Sequence, residues 1–222
     1  MTPEPAVRAS AFELVDDEGR VRARLAPGED GAVALDLAGT DGTVRLTIGL
    51  APDGSALVGL RDGDGTVRAL LTAPPRPAGS ASLDLIDQAG RRRVSVMDGD
   101  GLPSGVAVWD ADGRHRAVLA HGPEPDRDAS VEFWDADGRY RTGFGTWPDG
   151  STGIELLDDR GNLRGRLGER PDRTVAIEEW DAQGRLRARL GDRADGSFTL
   201  DFWDRDGTYR HGSGSLPTRR SD

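Results

Sequence analysis

Apolar and polar residues alternate with a period of two through most of the chain, in short runs such as Val33-Ala-Leu35-Asp-Leu37 and Phe198-Thr-Leu200-Asp-Phe202. That period predicts half-buried β-strands, because successive side chains of a strand point to opposite faces. Each run ends at a short cluster ending in glycine. Asp-x-x-Gly combines a carboxylate that can bond the backbone of a tight turn with a residue tolerant of positive φ, so the clusters read as hairpin turns.

The turns recur at a fixed spacing. Their glycines are Gly19, Gly42, Gly65, Gly90, Gly113, Gly138, Gly161, Gly184 and Gly207, at intervals of 23 or 25 residues. Each is followed three residues later by an arginine: Arg22, Arg45, Arg68, Arg93, Arg116, Arg141, Arg164, Arg187 and Arg210. Three residues before each glycine stands an aspartate in every copy except the second, where Gly39 takes its place. A period of this size marks a repeat architecture. Nine hairpins predict eighteen antiparallel strands and no helix. The links between hairpins, such as Asp30-Gly31, Pro52-Asp53-Gly54, Asp100-Gly101, Pro148-Asp149-Gly150 and Asp195-Gly196, are too short for a crossover to a parallel strand. The longer intervals coincide with Pro74, Pro75 and Pro77 and with Pro123 and Pro125. We expect residues 1–10 to be a polar tail, 11–213 a single nine-repeat domain and 214–222 a second polar tail.

With each turn glycine numbered zero, parity suggests a register. A four-residue loop, Asp-x-x-Gly, would pair −5 with +2, −6 with +3 and −7 with +4. One face would then collect −7, −5, +2, +4 and +6, nearly all apolar and expected to be buried on neighbouring hairpins; the other would collect −6, −4, +1, +3 and +5. The arginine at +3 would face the acid at −6, giving cross-strand pairs Glu13–Arg22, Asp36–Arg45, Asp84–Arg93, Glu132–Arg141, Glu155–Arg164, Glu178–Arg187 and Asp201–Arg210. A three-residue loop would pair −5 with +3 and set arginine among the leucines.

Eighteen full strands in one plain barrel would leave a lumen too wide for Leu and Val to fill. Radiating hairpins around an axis avoid that void. The segments Trp109-Asp-Ala-Asp-Gly-Arg114, Trp134-Asp-Ala-Asp-Gly-Arg139 and Trp180-Asp-Ala-Gln-Gly-Arg185 resemble those of uncharacterised bacterial repeat proteins of the β-flower type. That resemblance implies a closed or nearly closed, radial, flower-like shallow barrel and, from its shape, association with lipid. A weaker similarity is to the Tyr-Asp repeats of Rhs-type shells, which implies an open, curled β-sheet.

Composition narrows the chemistry. The chain has no cysteine, so disulfides, thiolate nucleophiles and cysteine metal sites are excluded. A net charge of −10 works against binding nucleic acid. No apolar leader and no run of 18 apolar residues occurs, which predicts a soluble, cytoplasmic protein without a transmembrane helix. The Asp-x-Asp-Gly segments beginning at Asp62, Asp110, Asp135 and Asp204 resemble calcium loops, but their twelfth residues are Ala73, His121, Thr146 and Ser215 rather than glutamate. His115, His121 and His211 lie at unrelated repeat positions. We therefore expect no catalytic residue, no metal and no cofactor. The informative positions are departures from the repeat: Arg68 and Arg116, whose −6 residues are Gly59 and Ala107, and Trp109, Trp134, Trp180 and Trp203 at −4. They mark an expected binding face of a non-catalytic binding or scaffold module. Its partner is an unknown protein or an apolar ligand such as lipid; the alternative is a purely structural shell or assembly unit.

Overall fold

The computed structural model describes residues 8–28, 30–75, 79–98, 104–122, 129–147 and 149–215. Pro77, Pro123, Pro125, the link Asp100-Gly101 and most of both expected tails lie outside these residues. All regular structure among them is β. The strands are β1 Phe12–Val15, β2 Val21–Pro27, β3 Val33–Ala38, β4 Val44–Leu50, β5 Ala56–Arg61, β6 Val67–Ala73, β7 Ser82–Ile86, β8 Arg92–Met97, β9 Ser104–Trp109, β10 His115–His121, β11 Ala129–Trp134, β12 Tyr140–Thr146, β13 Thr152–Leu157, β14 Leu163–Glu169, β15 Val175–Trp180, β16 Leu186–Asp192, β17 Phe198–Trp203 and β18 Tyr209–Ser215. The last strand runs two residues beyond the expected end of the repeats at 213.

Two compact units divide the chain, Met1–Leu102 and Pro103–Asp222. In the first, β1 to β8 pair in sequence order, every pair antiparallel. In the second, β9 to β18 do the same. Each unit is an open antiparallel meander, as in the sheet alternative, and no ladder among the described residues closes either into a barrel.

The hairpin turn is one residue tighter than the spacing predicts. Asp16 N–H donates to the Arg20 carbonyl (3.0 Å) and Gly19 N–H to the Asp16 carbonyl (2.9 Å), leaving a three-residue loop closed by Gly19 at φ +76°. The Asp16 carboxylate accepts from the N–H groups of Glu18 (3.1 Å) and Arg20 (3.0 Å), the Asx bonds that favour aspartate at this position. A second irregularity follows immediately. Val15 lies opposite Val21 and Leu14 opposite Ala23, so Arg22 is an extra residue, a β-bulge that recurs at +3 in every hairpin.

These two features correct the expected register. The cross-strand pairs are −4 with +2, −5 with +4, −6 with +5 and −7 with +6. None of the seven expected acid–arginine pairs forms in register: Glu13 faces Arg24 rather than Arg22, Asp36 faces Thr47, Asp84 faces Ser95, Glu132 faces Gly143, Glu155 faces Arg166, Glu178 faces Arg189 and Asp201 faces Gly212. The bulge also moves +2 to the face that holds −4. Parity fixes the faces only where alternation is unbroken, and a single bulged residue is enough to invert it.

The second correction concerns which face is buried. The most enclosed non-glycine residues are Ala107, Ala176, Asp84, Ser95, Ser151, Thr174, Glu178, Ser197 and Asp201, all polar or small. The rows −7/+6 and −5/+4, expected to form the core, are instead the exposed side: Ile48 is 45% accessible, Leu60 48%, Phe144 51% and Ile177 52%. A row of small residues accounts for this. On the polar side, near the links, −8 and +7 are Gly49, Gly105, Gly145, Gly153, Gly168, Gly191 and Gly214 among others, and an added Cβ at any of these would strike the backbone of the adjacent strand. The strands crowd together along this row. Along this row every residue but Leu57 and Met97 is glycine, alanine, serine or threonine, and most of the large apolar side chains stand on the roomier side.

Candidate functional site

Three surfaces carry chemistry, and the first is the layer next to the hairpin tips. Here the repeated arginine bridges two hairpins. Arg22 Nε donates to the Ala38 carbonyl (3.1 Å), Arg68 to Ile86 (2.8 Å), Arg141 to Leu157 (3.1 Å), Arg164 to Trp180 (2.8 Å) and Arg187 to Trp203 (3.0 Å). In each case the acceptor is the −4 carbonyl of the following hairpin. The same guanidinium lies beside the −3 aspartate of its own turn, at 3.7 Å for Arg22–Asp16, 3.3 Å for Arg68–Asp62 and 3.9 Å for Arg116–Asp110. Arg68 and Arg116, set apart by their −6 neighbours, thus have the same turn partner as the others.

Repeat 2 is the natural test of this arrangement. With Gly39 at −3, Arg45 turns to Asp41 (2.8 Å), and its buried Nε has no hydrogen-bond partner. The −3 carboxylates bind so many N–H groups that they titrate below the usual range. For Asp110, Asp135 and Asp204 the largest contribution is the backbone N–H of the residue following the turn glycine; for Asp16, Asp62 and Asp181 burial pushes upward but the hydrogen bonds outweigh it. These carboxylates are committed to the turn rather than free for calcium. Among the described residues, no group of three or more His, Asp or Glu is placed to hold a metal.

Within this layer Trp109, His115, Trp134 and Tyr140 form a continuous aromatic series, with ring centroids 5.3, 5.6 and 5.9 Å apart. Trp203 meets Tyr209 edge-on at 5.8 Å. Trp180 faces Leu186 across its hairpin and accepts the arginine bridge at its carbonyl. The bulge creates these contacts by bringing +2 beside −4. All four tryptophans are half-buried. Elsewhere a guanidinium stacks on a tryptophan, Arg166 over Trp147 at 5.4 Å.

Trp147 points to a feature that the repeat pattern alone did not single out. The first residue of a link folds over the polar face of the second unit: Trp147, Arg170 and Arg193 occupy the place of Gly28 and Ala51 in the first unit. The signal was in the sequence, as a change from small residues to Trp and Arg at one link position. Arg170 and Arg189 both meet Glu178, the latter at 3.4 Å. Arg193 bonds Asp201 (2.8 Å), which also accepts from the hydroxyls of Thr199 (2.8 Å) and Tyr209 (3.3 Å). Burial pushes the Asp201 carboxyl upward, but Arg193 and Thr199 prevail and hold it below the usual range. A cavity of about 430 Å³ lies among Arg170, Asp172, Thr174, Leu186, Arg193 and Trp203. Its three guanidiniums, Arg170, Arg189 and Arg193, are matched by Glu178, Asp201 and Asp172, so it has no net charge. Here the buried acids Glu178 and Asp201 are each paired with arginine, as in a structural ion-pair cluster.

The third surface is the apolar side. Its −7/+6 row is apolar at every position but Ser213, and the −5/+4 row is broken by charge only at Glu179. Where Gly165 takes a place in the second row, the missing side chain leaves an almost wholly apolar groove of about 250 Å³ between Ile154, Leu156, Leu167 and Ile177. No family model and no curated protein matches this chain.

Proposed function

We propose that this protein is a non-catalytic binding module that lays its apolar face against lipid hydrocarbon, with the groove at Gly165 taking an acyl chain. The observation that carries this reading is the pair of exposed apolar rows on a sheet whose opposite, polar face is the buried one. Monomeric soluble proteins rarely expose contiguous apolar patches of more than a few hundred Å². The two rows contain Leu, Ile, Val, Ala and Phe with few hydrogen-bonding groups and, apart from Phe, none of the Phe, Tyr, Trp, Met and Arg that protein interfaces favour, which suits a fluid hydrocarbon. The β-flower resemblance points the same way.

Depth distinguishes lying on a membrane from crossing one. Most strands are six or seven residues long, and the two apolar rows are two residues apart, about 7 Å along the strand. A spanning strand needs about 9–11 residues, whereas an interfacial element inserts about 5–10 Å. The net charge of −10 favours zwitterionic over anionic surfaces. Sedimentation with phosphatidylcholine vesicles at low and high salt tests the reading. Binding retained at high salt and abolished by Ile154→Ser with Leu167→Ser is expected; no binding, or binding lost in salt, overturns it.

A further inference from the structure

We propose that the cavity on the polar side of the second unit binds a neutral sugar or polyol, independently of the apolar face. Its frame rests on two buried acids. Glu178 and Asp201 are only 3% and 1% accessible, and each fixes an arginine that begins a link. Arg170 Nη2 donates to Glu178 Oε1, which Arg189 Nε also approaches at 3.4 Å; Arg193 Nη2 donates to Asp201 Oδ2 (2.8 Å).

These contacts use only part of each group. Among the described residues no hydrogen bond is donated to Glu178 Oε2, and none is donated by Arg170 Nε or Nη1 or by Arg193 Nη1. The Thr174 N–H (3.0 Å) and hydroxyl (2.6 Å) both bond Asp172 Oδ1, which leaves Oδ2 unspent in the same way. Donors and acceptors therefore line one cavity, with Trp203 and Leu186 as its apolar wall. Its volume of about 430 Å³ lies in the range of small-molecule sites. A recess of about 360 Å³ in the first unit, among Arg24, Pro27, Gly28, Ala32, Ala34 and Asp36, has neither a link arginine nor an aromatic wall.

Charge decides the class of ligand. An anion drawn to Arg170 meets Glu178 and Asp172, and a cation drawn to Glu178 meets Arg170 and Arg189, so an ion of either sign encounters a like charge in the cavity. A hydroxyl avoids that conflict, because it donates to a carboxylate oxygen and accepts from a guanidinium. Several hydroxyls on a compact ring with an apolar C–H face engage the unspent donors, the unspent acceptors and Trp203 together.

Titration followed by NMR tests the site, with glucose, galactose, mannose, maltose, lactose and sorbitol as probes, and inorganic phosphate and tetramethylammonium as the ionic alternatives. At least one of the neutral probes should bind with a dissociation constant of about 1 mM or below and shift the indole N–H signal of Trp203, identified from its loss in Trp203→Phe. Arg170→Lys keeps a positive charge for Glu178 but removes the unspent guanidinium donors, and should weaken binding about tenfold. Asp172→Asn is exposed and keeps an oxygen for Thr174; it replaces an unspent acceptor by a donor and should weaken binding as well. No binding by any neutral probe at about 10 mM overturns the proposal, as does tighter binding of phosphate or tetramethylammonium than of every sugar. Binding that both variants leave unchanged, with their folding verified by circular dichroism, places the ligand elsewhere and overturns it equally.

Discussion

The polar faces of the two units are built on one template and filled differently. In the first unit the −6/+5 row reads Glu13, Arg24, Asp36, Thr47, Gly59, Leu70, Asp84, Ser95, and the links above it begin with Gly28 or Ala51. In the second it includes Glu132, Glu155, Arg166, Glu178, Arg189 and Asp201, covered by Trp147, Arg170 and Arg193. The apolar faces of the two units hardly differ. A residue type therefore means different things at one repeat position: Glu13 with Arg24 is an open surface pair at 3.6 Å, while Glu178 with Arg189, its equivalent, is enclosed.

Acid should have the largest effect and act on both units. The folded-state pKa values of Asp16, Asp62, Asp87, Asp110, Asp135, Asp158, Asp181 and Asp204 are depressed, so the folded state binds fewer protons than the unfolded chain. Their contribution is complete above the unfolded carboxylate pKa of about 4 and is lost as pH falls through the lower folded values. Circular dichroism should show constant stability from neutral pH down to about 5 and progressive loss below about 4. A loss beginning near pH 6 would contradict the assignment.

The enclosed pair should separate the units most sharply. Arg189→Ala leaves Glu178 buried with Arg170 alone and should cost about 3 kcal/mol in chemical denaturation. Arg24→Ala at the same repeat position should cost less than about 1 kcal/mol. Equal costs would erase the distinction between the two faces.

Glycines of this row should differ in the same way. A Cβ at Gly143 would collide with the Tyr140 hydroxyl, so Gly143→Ala should cost roughly 2 kcal/mol. At Gly59 the nearest atom is Leu70 Cδ1 at 3.9 Å, and Gly59→Ala should be neutral or stabilising by about 0.5 kcal/mol. The same collision recurs between Tyr209 and Gly212, so tyrosine at +2 goes with glycine at +5.

Two smaller changes test single departures from the repeat, one in each unit. Arg173, at φ +69°, is the one non-glycine residue with positive φ among those described, in a link position held by Gly54 in the first unit; Arg173→Gly should stabilise by about 1 kcal/mol. Gly39→Asp should give Arg45 the turn partner it lacks. Space requires only that the Asp41 carboxylate swing away, and a gain of up to about 1 kcal/mol in unfolding free energy is expected.

The nine hairpins, their strands and their turn aspartates were legible in the sequence because each depends on local chemistry: Asx bonds, positive φ and a two-residue period. The bulge was not, since it shows only as a parity change that an unbroken ladder also seems to satisfy. Arg22 and Glu13 made a plausible pair on charge alone, yet Arg22 reaches 16 residues ahead to a backbone carbonyl that no side-chain pattern reveals. The choice of buried face was also hidden. Hydrophobicity favoured the leucine rows, whereas the small residues at −8 and +7, Gly49, Gly145, Gly168, Gly191 and Gly214 among them, record where the strands crowd. Of the expected binding face, Trp109 and Trp134 are brought into one aromatic series, while Arg68 belongs to the bridging set and Arg116, like Arg68, lies beside the −3 aspartate of its own turn.

The arginine bridges of Arg22, Arg68, Arg141, Arg164 and Arg187 all run forward, from one hairpin to the next. Such a chain of links has a direction, and each bridge depends only on the hairpin it leaves and the one it enters. Gene duplication can therefore add or remove one whole repeat, 23 or 25 residues from turn glycine to turn glycine, without changing the bridges within the remaining hairpin pairs.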